Sequence, residues 1–301
     1  MLATYNGERF LRQQLESIAQ QTHAHWVMYA SDDGSNDNTL SILKAFAEQW
    51  GPDKLIIRRG AQQGLCANFM SMVLDPEIRA DFYALCDQDD VWLPEKLSRA
   101  LKELNQAGPP ATPSLYCSRT QYVSESLAPL GLSKAYQRPP SFRNALVQSL
   151  AGGNTMLFNH AAKQLAMQAG VKQAVVHDWW LYLLVTGAGG TLVFDAEAPI
   201  LYRQHDASTI GSANGFVDQL KRLRNLVLGQ HKAYAHTHIQ ALNQARPCLS
   251  PEHQQVLTDF EALHGATGLL QRVKIFNRLG LYRQTAAGAI SLRLAVLLGK
   301  I

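Results

Sequence analysis

The chain lacks most of the features that would take it out of the ordinary globular class. None of its four cysteines, Cys66, Cys86, Cys117 and Cys248, forms a C-x-x-C pair, and most lie in apolar runs. That is the habit of reduced, buried thiols, not of a zinc site or a disulfide framework, and it points to a cytoplasmic interior. No apolar run reaches the roughly 18 residues a membrane-spanning helix needs. Met1-Leu2-Ala3-Thr4-Tyr5-Asn6-Gly7 has neither the basic start nor the apolar stretch of a secretory signal. Charge is scarce, at 17% of 301 residues against 47% hydrophobic, which excludes a disordered chain and leaves material for one large core or two modest ones. There is no internal repeat and no low-complexity segment.

What charge there is divides unevenly. Residues 220–301 carry 11 Lys/Arg against 3 Asp/Glu, leaving 17 against 21 in residues 1–219. From Trp26 to Cys117, short apolar runs (Trp26–Ala30, Leu55–Arg58, Phe82–Cys86, Ser114–Cys117) alternate with helical stripes such as Leu11, Leu15, Ile18 and Leu40, Leu43, Phe46, the latter with Asn36 as a cap. This pattern predicts βαβ units around a largely parallel sheet. Leu97, Leu101 and Leu104 continue the series after Pro94. Beyond Gly108-Pro109-Pro110 the regularity loosens into a helix over Phe142–Leu150, the turn Gly152-Gly153, a strand over Thr155–Phe158, helices over Ala161–Gln168 and Trp179–Thr186, and strands over Thr191–Phe194 and Pro199–Tyr202. From about Phe216 the chain reads as helices with basic and apolar residues interleaved. They either cap the main domain or lie in a membrane interface, with Arg and Lys at lipid phosphates. The spread of the basic residues and the shortage of aromatics among them argue against nucleic acid as a partner.

Four clusters carry chemistry. Ser31-Asp32-Asp33-Gly34-Ser35 and Asp87-Gln88-Asp89-Asp90 each follow an apolar run, so both are expected at the carboxyl ends of adjacent strands, the edge where open parallel sheets bind ligands. Such acidic loops serve either as turns and helix caps or as the seat of a hard divalent cation, Mg²⁺ or Mn²⁺, shared with a substrate diphosphate. In His177-Asp178-Trp179-Trp180 the carboxylate is either a helix cap or a partly desolvated general base, with the tryptophans offering flat faces to a sugar ring. Tyr202-Arg203-Gln204-His205 ends a short strand, and both Arg203 and His205 are suited to donate to a diphosphate.

In this order, over about residues 3–210, the motifs resemble the family 2 inverting glycosyltransferases. The resemblance implies an α/β chain with the Rossmann-like, nucleotide-sugar-binding glycosyltransferase A fold, a mainly parallel central sheet and a C-terminal helical extension. It implies a catalytic domain at 1–215, divided into a nucleotide-sugar half (about 1–117) and an acceptor half (about 118–215), followed by the basic extension at 216–301. On this likeness Thr4, Tyr5 and Asn6 cradle the nucleotide, and Asp32 and Asp33 contact base or ribose. Asp87 and Asp89 form the metal-binding D-x-D position, with Asp87 also at the donor. Arg203 and His205 bind the diphosphate, and Gly153, Asn154, Trp179 and Trp180 face the acceptor. Asp178 falls at the catalytic base.

The wordings Asp87-Gln88-Asp89-Asp90-Val91-Trp92, His177-Asp178-Trp179-Trp180 and Tyr202-Arg203-Gln204-His205 are similar to bacterial rhamnosyltransferases of surface-polysaccharide assembly, which implies dTDP-L-rhamnose as donor and a glycan or lipid-linked saccharide as acceptor. Location would then be cytoplasmic, with the extension on the inner face of the cell membrane. The Q-x-x-R-W motif of processive members is absent, which implies transfer of a single sugar. Only Met1, Leu2 and Ala3 precede Thr4, fewer than the buried strand that opens such a domain, so either the first strand is a stub or the true start lies upstream; the second is expected, and restoring an apolar segment there should raise the melting temperature. Two alternatives stand beside this reading. One is a haloacid dehalogenase-type phosphatase built on Asp87 and Asp89; the other is a carbohydrate- or nucleotide-binding subunit without turnover.

Overall fold

The structure, a computed structural model, describes residues 1–150, 152–171, 176–205 and 230–301. Strands and helices alternate through the first third: β1 (Leu2–Thr4), α1 (Leu11–Ala19), β2 (Met28–Asp32), α2 (Thr39–Trp50), β3 (Leu55–Arg59), α3 (Leu65–Val73) and β4 (Phe82–Ala84). Then come β5 (Val91–Trp92), α4 (Lys96–Ala107), β6 (Ser114–Ser118), β7 (Gln121–Val123), β8 (Pro129–Leu132), α5 (Phe142–Ala145), β9 (Leu157–Asn159), α6 (His160–Ala169), α7 (His177–Gly187), β10 (Thr191–Asp195) and β11 (Ile200–Arg203). Among the described residues, four helices follow in the C-terminal part: α8 (Gln230–Gln244), α9 (Pro251–Gly265), α10 (Leu269–Leu279) and α11 (Ala286–Leu297).

β1 pairs in parallel with β2, and β2 with β3. On its other side β1 meets the chain just beyond β4, through a parallel bridge from Leu2 to Cys86. β4 and β6 both run antiparallel to β9, and β6 runs parallel to β10. The central order is therefore β3-β2-β1-β4-β9-β6-β10, mainly parallel, with β9 reversed. Because successive strand residues point to opposite faces, neighbours fall into two cores. Leu2 and Tyr116 join Leu11, Leu15, Leu43 and Leu97 of α1, α2 and α4, whereas Ala3 and Leu115 join Phe69 of α3 and Trp180 to Val185 of α7. Burial on both faces explains why β6 reads as an unbroken run of buried residues.

A second sheet, β5-β11-β7-β8, lies beside the first. Local pattern marks only one of its strands, β11, as the strand expected at Pro199–Tyr202; its strands are two to four residues long, and Ile200 finds its partner Trp92 far back in the chain.

Other expectations shift. The strand expected at Trp26 begins at Met28 and runs on to Asp32. Asp37, not Asn36, serves the start of α2, its Oδ1 accepting from the Thr39 N–H at 3.0 Å. Helix expected through Leu150 stops at Ala145, capped at its start by Ser141. β2 and β4 are not neighbours, because β1 lies between them; the two acidic loops therefore flank the β1–α1 loop. β1 itself is short, with all three residues buried.

The C-terminal helices pack on the part that carries the central sheet. Leu242, Leu257, Phe260, Leu279 and Val296 belong to the same buried cluster as Phe69 and Trp180, and Arg143 donates to the Leu279 carbonyl at 2.7 Å. The expected boundary at 215/216 and the first part of the basic stretch lie outside the described residues. No helix among the described residues is long and apolar enough to cross a membrane.

Candidate active site

A cleft of about 1720 Å³ opens at the carboxyl edge of the central sheet. Its floor is the acidic loop, which leaves β4 of the first sheet and enters β5 of the second. Asp90 is fully buried and anchors this crossing, accepting from Asn154 Nδ2 at 2.6 Å and from the Arg203 N–H at 3.3 Å. Burial, with Asp87 and Asp89 beside it, pushes the Asp90 carboxyl well above its usual range. Asp89 pairs with His205 Nε2 at 2.8 Å. Asp87 faces the cleft, and its Oδ1 is buried with no hydrogen-bond partner among the described residues. Burial first, then the negative charges of Asp89 and Asp178, raise its pKa to about 7.

Asp178 stands in the first turn of α7, also lining the cleft. The Gly153 N–H donates to its Oδ2 at 2.9 Å, and the Trp179 N–H to its Oδ1 at 2.5 Å. Burial raises its pKa against the opposing influence of His177 and these N–H groups. Gly153 is required here, because a Cβ would sit 2.6 Å from His177 Nε2.

The β1–α1 loop lines the cleft beside the acidic loop. Tyr5 and Gln88 exchange two hydrogen bonds, backbone N–H to Oε1 and Nε2 to backbone carbonyl, each 2.9 Å. Asn6 adopts a left-handed φ of 47°, its N–H donating to Ser35 Oγ at 2.9 Å while its Oδ1 accepts from the Asn36 N–H at 2.8 Å. Thr4 Oγ1 donates to Asp32 Oδ1 at 2.9 Å.

Several residues named from sequence lie elsewhere than expected. Asp32 does not line the cleft: its two oxygens also accept from Ser35 Oγ and from the N–H groups of Gly34 and Ser35, so it builds the loop that Asp33 presents. Asp33 does line the cleft while accepting from the N–H groups of Gln62 and Gly64. Arg203 is only 1% exposed, with its guanidinium donating to the carbonyls of Asp89 and Glu125 and to Gln13 Oε1; it holds the acidic loop from behind. Trp180 is fully buried in the core, whereas Trp179 reaches the cleft with Nε1 donating to the Ala145 carbonyl at 2.7 Å. Thr4, Tyr5, Asn6, Asp87, Asp89, Gly153, Asn154, Asp178 and His205 do converge on the cleft.

Sequence reasoning assigned no role to Gln88, the middle residue of D-x-D, or to His177, whose ring stacks on Phe69 with centroids 4.3 Å apart. Nor did it place Arg283, Thr285 and Ser291 of the C-terminal part along the cleft. The wording around Asp178 held a signal for His177, as D-x-D did for Gln88; Arg283, Thr285 and Ser291 had none.

Residues 1–165 match the family described as Glycosyl transferase family 2. The chain belongs to that family. A relative of this glycosyltransferase, the dTDP-rhamnosyl transferase RfbG of Shigella flexneri, is 26% identical over 235 residues, covering 74% of this chain and 78% of RfbG. Among solved structures, the S. aureus protein TarS (residues 1–349) in complex with UDP superposes with a TM-score of 0.53 at 14% identity, over 92% of this chain and 73% of that one. The mannosyltransferase PcManGT of Pyrobaculum calidifontis, in complex with GDP-Man and Mn²⁺, gives 0.51 at 16% identity, over 100% and 86%. These likenesses bear out the glycosyltransferase A fold, and family membership leaves no place for the phosphatase alternative.

The donor set suits a hard divalent cation in one respect: the unpartnered Asp87 oxygen lies among like charges. Among the described residues no cluster of three or more His, Cys, Asp or Glu side chains is arranged to hold a metal. A Mg²⁺ or Mn²⁺ ion shared with a substrate diphosphate needs only one or two carboxylates, and Asp87 with Asp89 meets that requirement.

Proposed function

We propose that this glycosyltransferase transfers a single L-rhamnosyl unit from dTDP-L-rhamnose, with inversion, to a glycan or lipid-linked acceptor in the assembly of a cell-surface polysaccharide such as O-antigen, working in the cytoplasm at the inner face of the cell membrane. The observation that carries the reaction type is the pairing in one cleft of a desolvated carboxylate held by two N–H groups, Asp178, with an orphaned carboxylate oxygen, Asp87. The likeness to a dTDP-rhamnosyl transferase over most of both chains supports the donor.

In this reading the acceptor hydroxyl sits against Asp178, which takes its proton as the oxygen attacks the anomeric carbon. The bond from that carbon to the diphosphate oxygen breaks as the new one forms, and its electron pair leaves with the nucleoside diphosphate. No enzyme nucleophile is needed. The two N–H donors hold Asp178 in one rotamer, so its free lone pairs point at the acceptor. The β1–α1 loop and Asp33 line the nucleotide, and His205 orients Asp89. Mg²⁺ or Mn²⁺ held by Asp87 and Asp89 would supply Lewis acidity to the departing diphosphate.

A thermal-shift panel of nucleotide sugars, with and without Mn²⁺, tests the donor. Metal-dependent stabilisation by dTDP-rhamnose alone is expected, and stabilisation by UDP-sugars instead would overturn that assignment. Asp89→Ala should remove the metal-dependent shift. Tight nucleotide binding without transfer to any acceptor would favour a binding subunit.

A further inference from the structure

We infer that the outer face of α10 and α11 is a docking surface for an anionic lipid bilayer, and that it seats the mouth of the active-site cleft against the membrane.

α11 has work on three sides. Leu292, Ala295 and Val296 are buried in the core, and Ala287, Gly288 and Ser291 line the cleft. That leaves Ile290, Leu294, Leu297 and Leu298 exposed, spaced i, i+4, i+7 and i+8 along one face. Leu269 and Leu270 are exposed as well, Leu270 to 87%. They belong to the same surface, because Arg272 ties the start of α10 to the end of α11, donating to the carbonyls of Thr267 at 3.1 Å and Leu297 at 3.0 Å. Six large aliphatic side chains on neighbouring helix ends form the kind of patch that marks an interaction site.

Charge decides the occupant. Residues 268–301 contain six Lys/Arg and no Asp or Glu, and Lys274, Arg293 and Lys300 are exposed. A second copy docking face to face through the same patch would bring these like charges together, whereas anionic headgroups attract each of them. Leucines buried at the acyl boundary with Arg and Lys at the phosphates is the arrangement of a helix lying on a bilayer. The cleft-lining residues Ala287, Gly288 and Ser291 occupy the first turns of the same helix, so docking α11 brings the cleft to the lipid surface, where a lipid-linked acceptor would present its sugar. The acceptor part of this inference rests on the proposed function; the docking part does not.

The test is co-sedimentation of the full chain with vesicles containing phosphatidylglycerol and, separately, with pure phosphatidylcholine vesicles. Binding to the first, weakened by salt, is expected, with little to the second. Leu270→Ser with Leu298→Ser should weaken binding by at least about tenfold, and Arg293→Glu with Lys300→Glu by a similar factor. Both double variants should keep the wild-type thermal shift with nucleotide sugar, which shows that they fold. Equal binding of wild type and variants, no binding by wild type, or a dimer in light scattering that the leucine variant abolishes would each overturn the docking face. Vesicle binding by an enzyme inactive on every lipid-linked acceptor supports the face and overturns the acceptor assignment alone.

Discussion

Asp178 receives one N–H on each carboxylate oxygen yet remains more basic than an ordinary aspartate, because burial outweighs those donors. A base must be ionised to act, so the rate should fall as pH drops through this raised pKa. The acid limb of kcat should lie above ~3.9, the value of an exposed aspartate. A pH–rate profile with its limb at or below that value would count against Asp178 as base. Asp178→Asn keeps the shape and removes the proton acceptor, so kcat should fall about 10²–10⁴-fold with nucleotide binding little changed. Gly153→Ala works through a different atom: its Cβ would press on the ring of His177 and displace the N–H that fixes Asp178. Loss of turnover at near-normal melting temperature is the expected result, read from kinetics and thermal unfolding on the same sample.

Among the elements, β11 matters more for the site than its four residues suggest. It delivers Arg203 behind the acidic loop, where one planar guanidinium reaches carbonyls on two loops and Gln13. Lysine has a single ammonium and cannot span those acceptors. Arg203→Lys should therefore raise the Mn²⁺ concentration for half-maximal activity by about tenfold or more, as loss of support behind a ligand does; an unchanged metal titration would remove Arg203 from this role. β10 ends in Asp195, which accepts from Arg99 of α4 and from Tyr116 Oη of β6. Burial opposes ionisation there, but Arg99, the Glu197 N–H and Tyr116 together hold its pKa below the ordinary value. A depressed carboxylate contributes stability that is full above the unfolded pKa and is lost as pH falls through the folded one. Asp195→Asn should thus lower stability by about 1–3 kcal/mol near neutrality and flatten the melting-temperature loss between about pH 4 and lower values.

For the molecule as a whole, the C-terminal helices and the catalytic part share one buried cluster. Removal of residues 230–301 would expose Trp180's neighbours and the Phe142 side of α7, leaving an apolar face with no cover. The full chain is accordingly expected to unfold in one transition, with calorimetric and van't Hoff enthalpies in agreement. Two separate transitions would show that the extension is an independent unit.

Composition and local order were enough to determine the alternating first half, because a strand buried on both faces and a helix with one apolar stripe each write their period into consecutive residues. They also determined the family, since Asp87-Gln88-Asp89, Asp178 and the β1–α1 loop are contiguous wordings. Which of the named residues meet the cleft was left to the tertiary structure. Asp32 and Asp33 are neighbours in sequence on opposite sides of one loop, Trp179 and Trp180 lie on different faces of α7, and Arg203 and His205 differ in whether they reach past Asp89. A motif fixes residue type and order; the direction of each side chain depends on pairings across the fold, such as β11 with β5 and Asn154 with Asp90, that no local stretch contains.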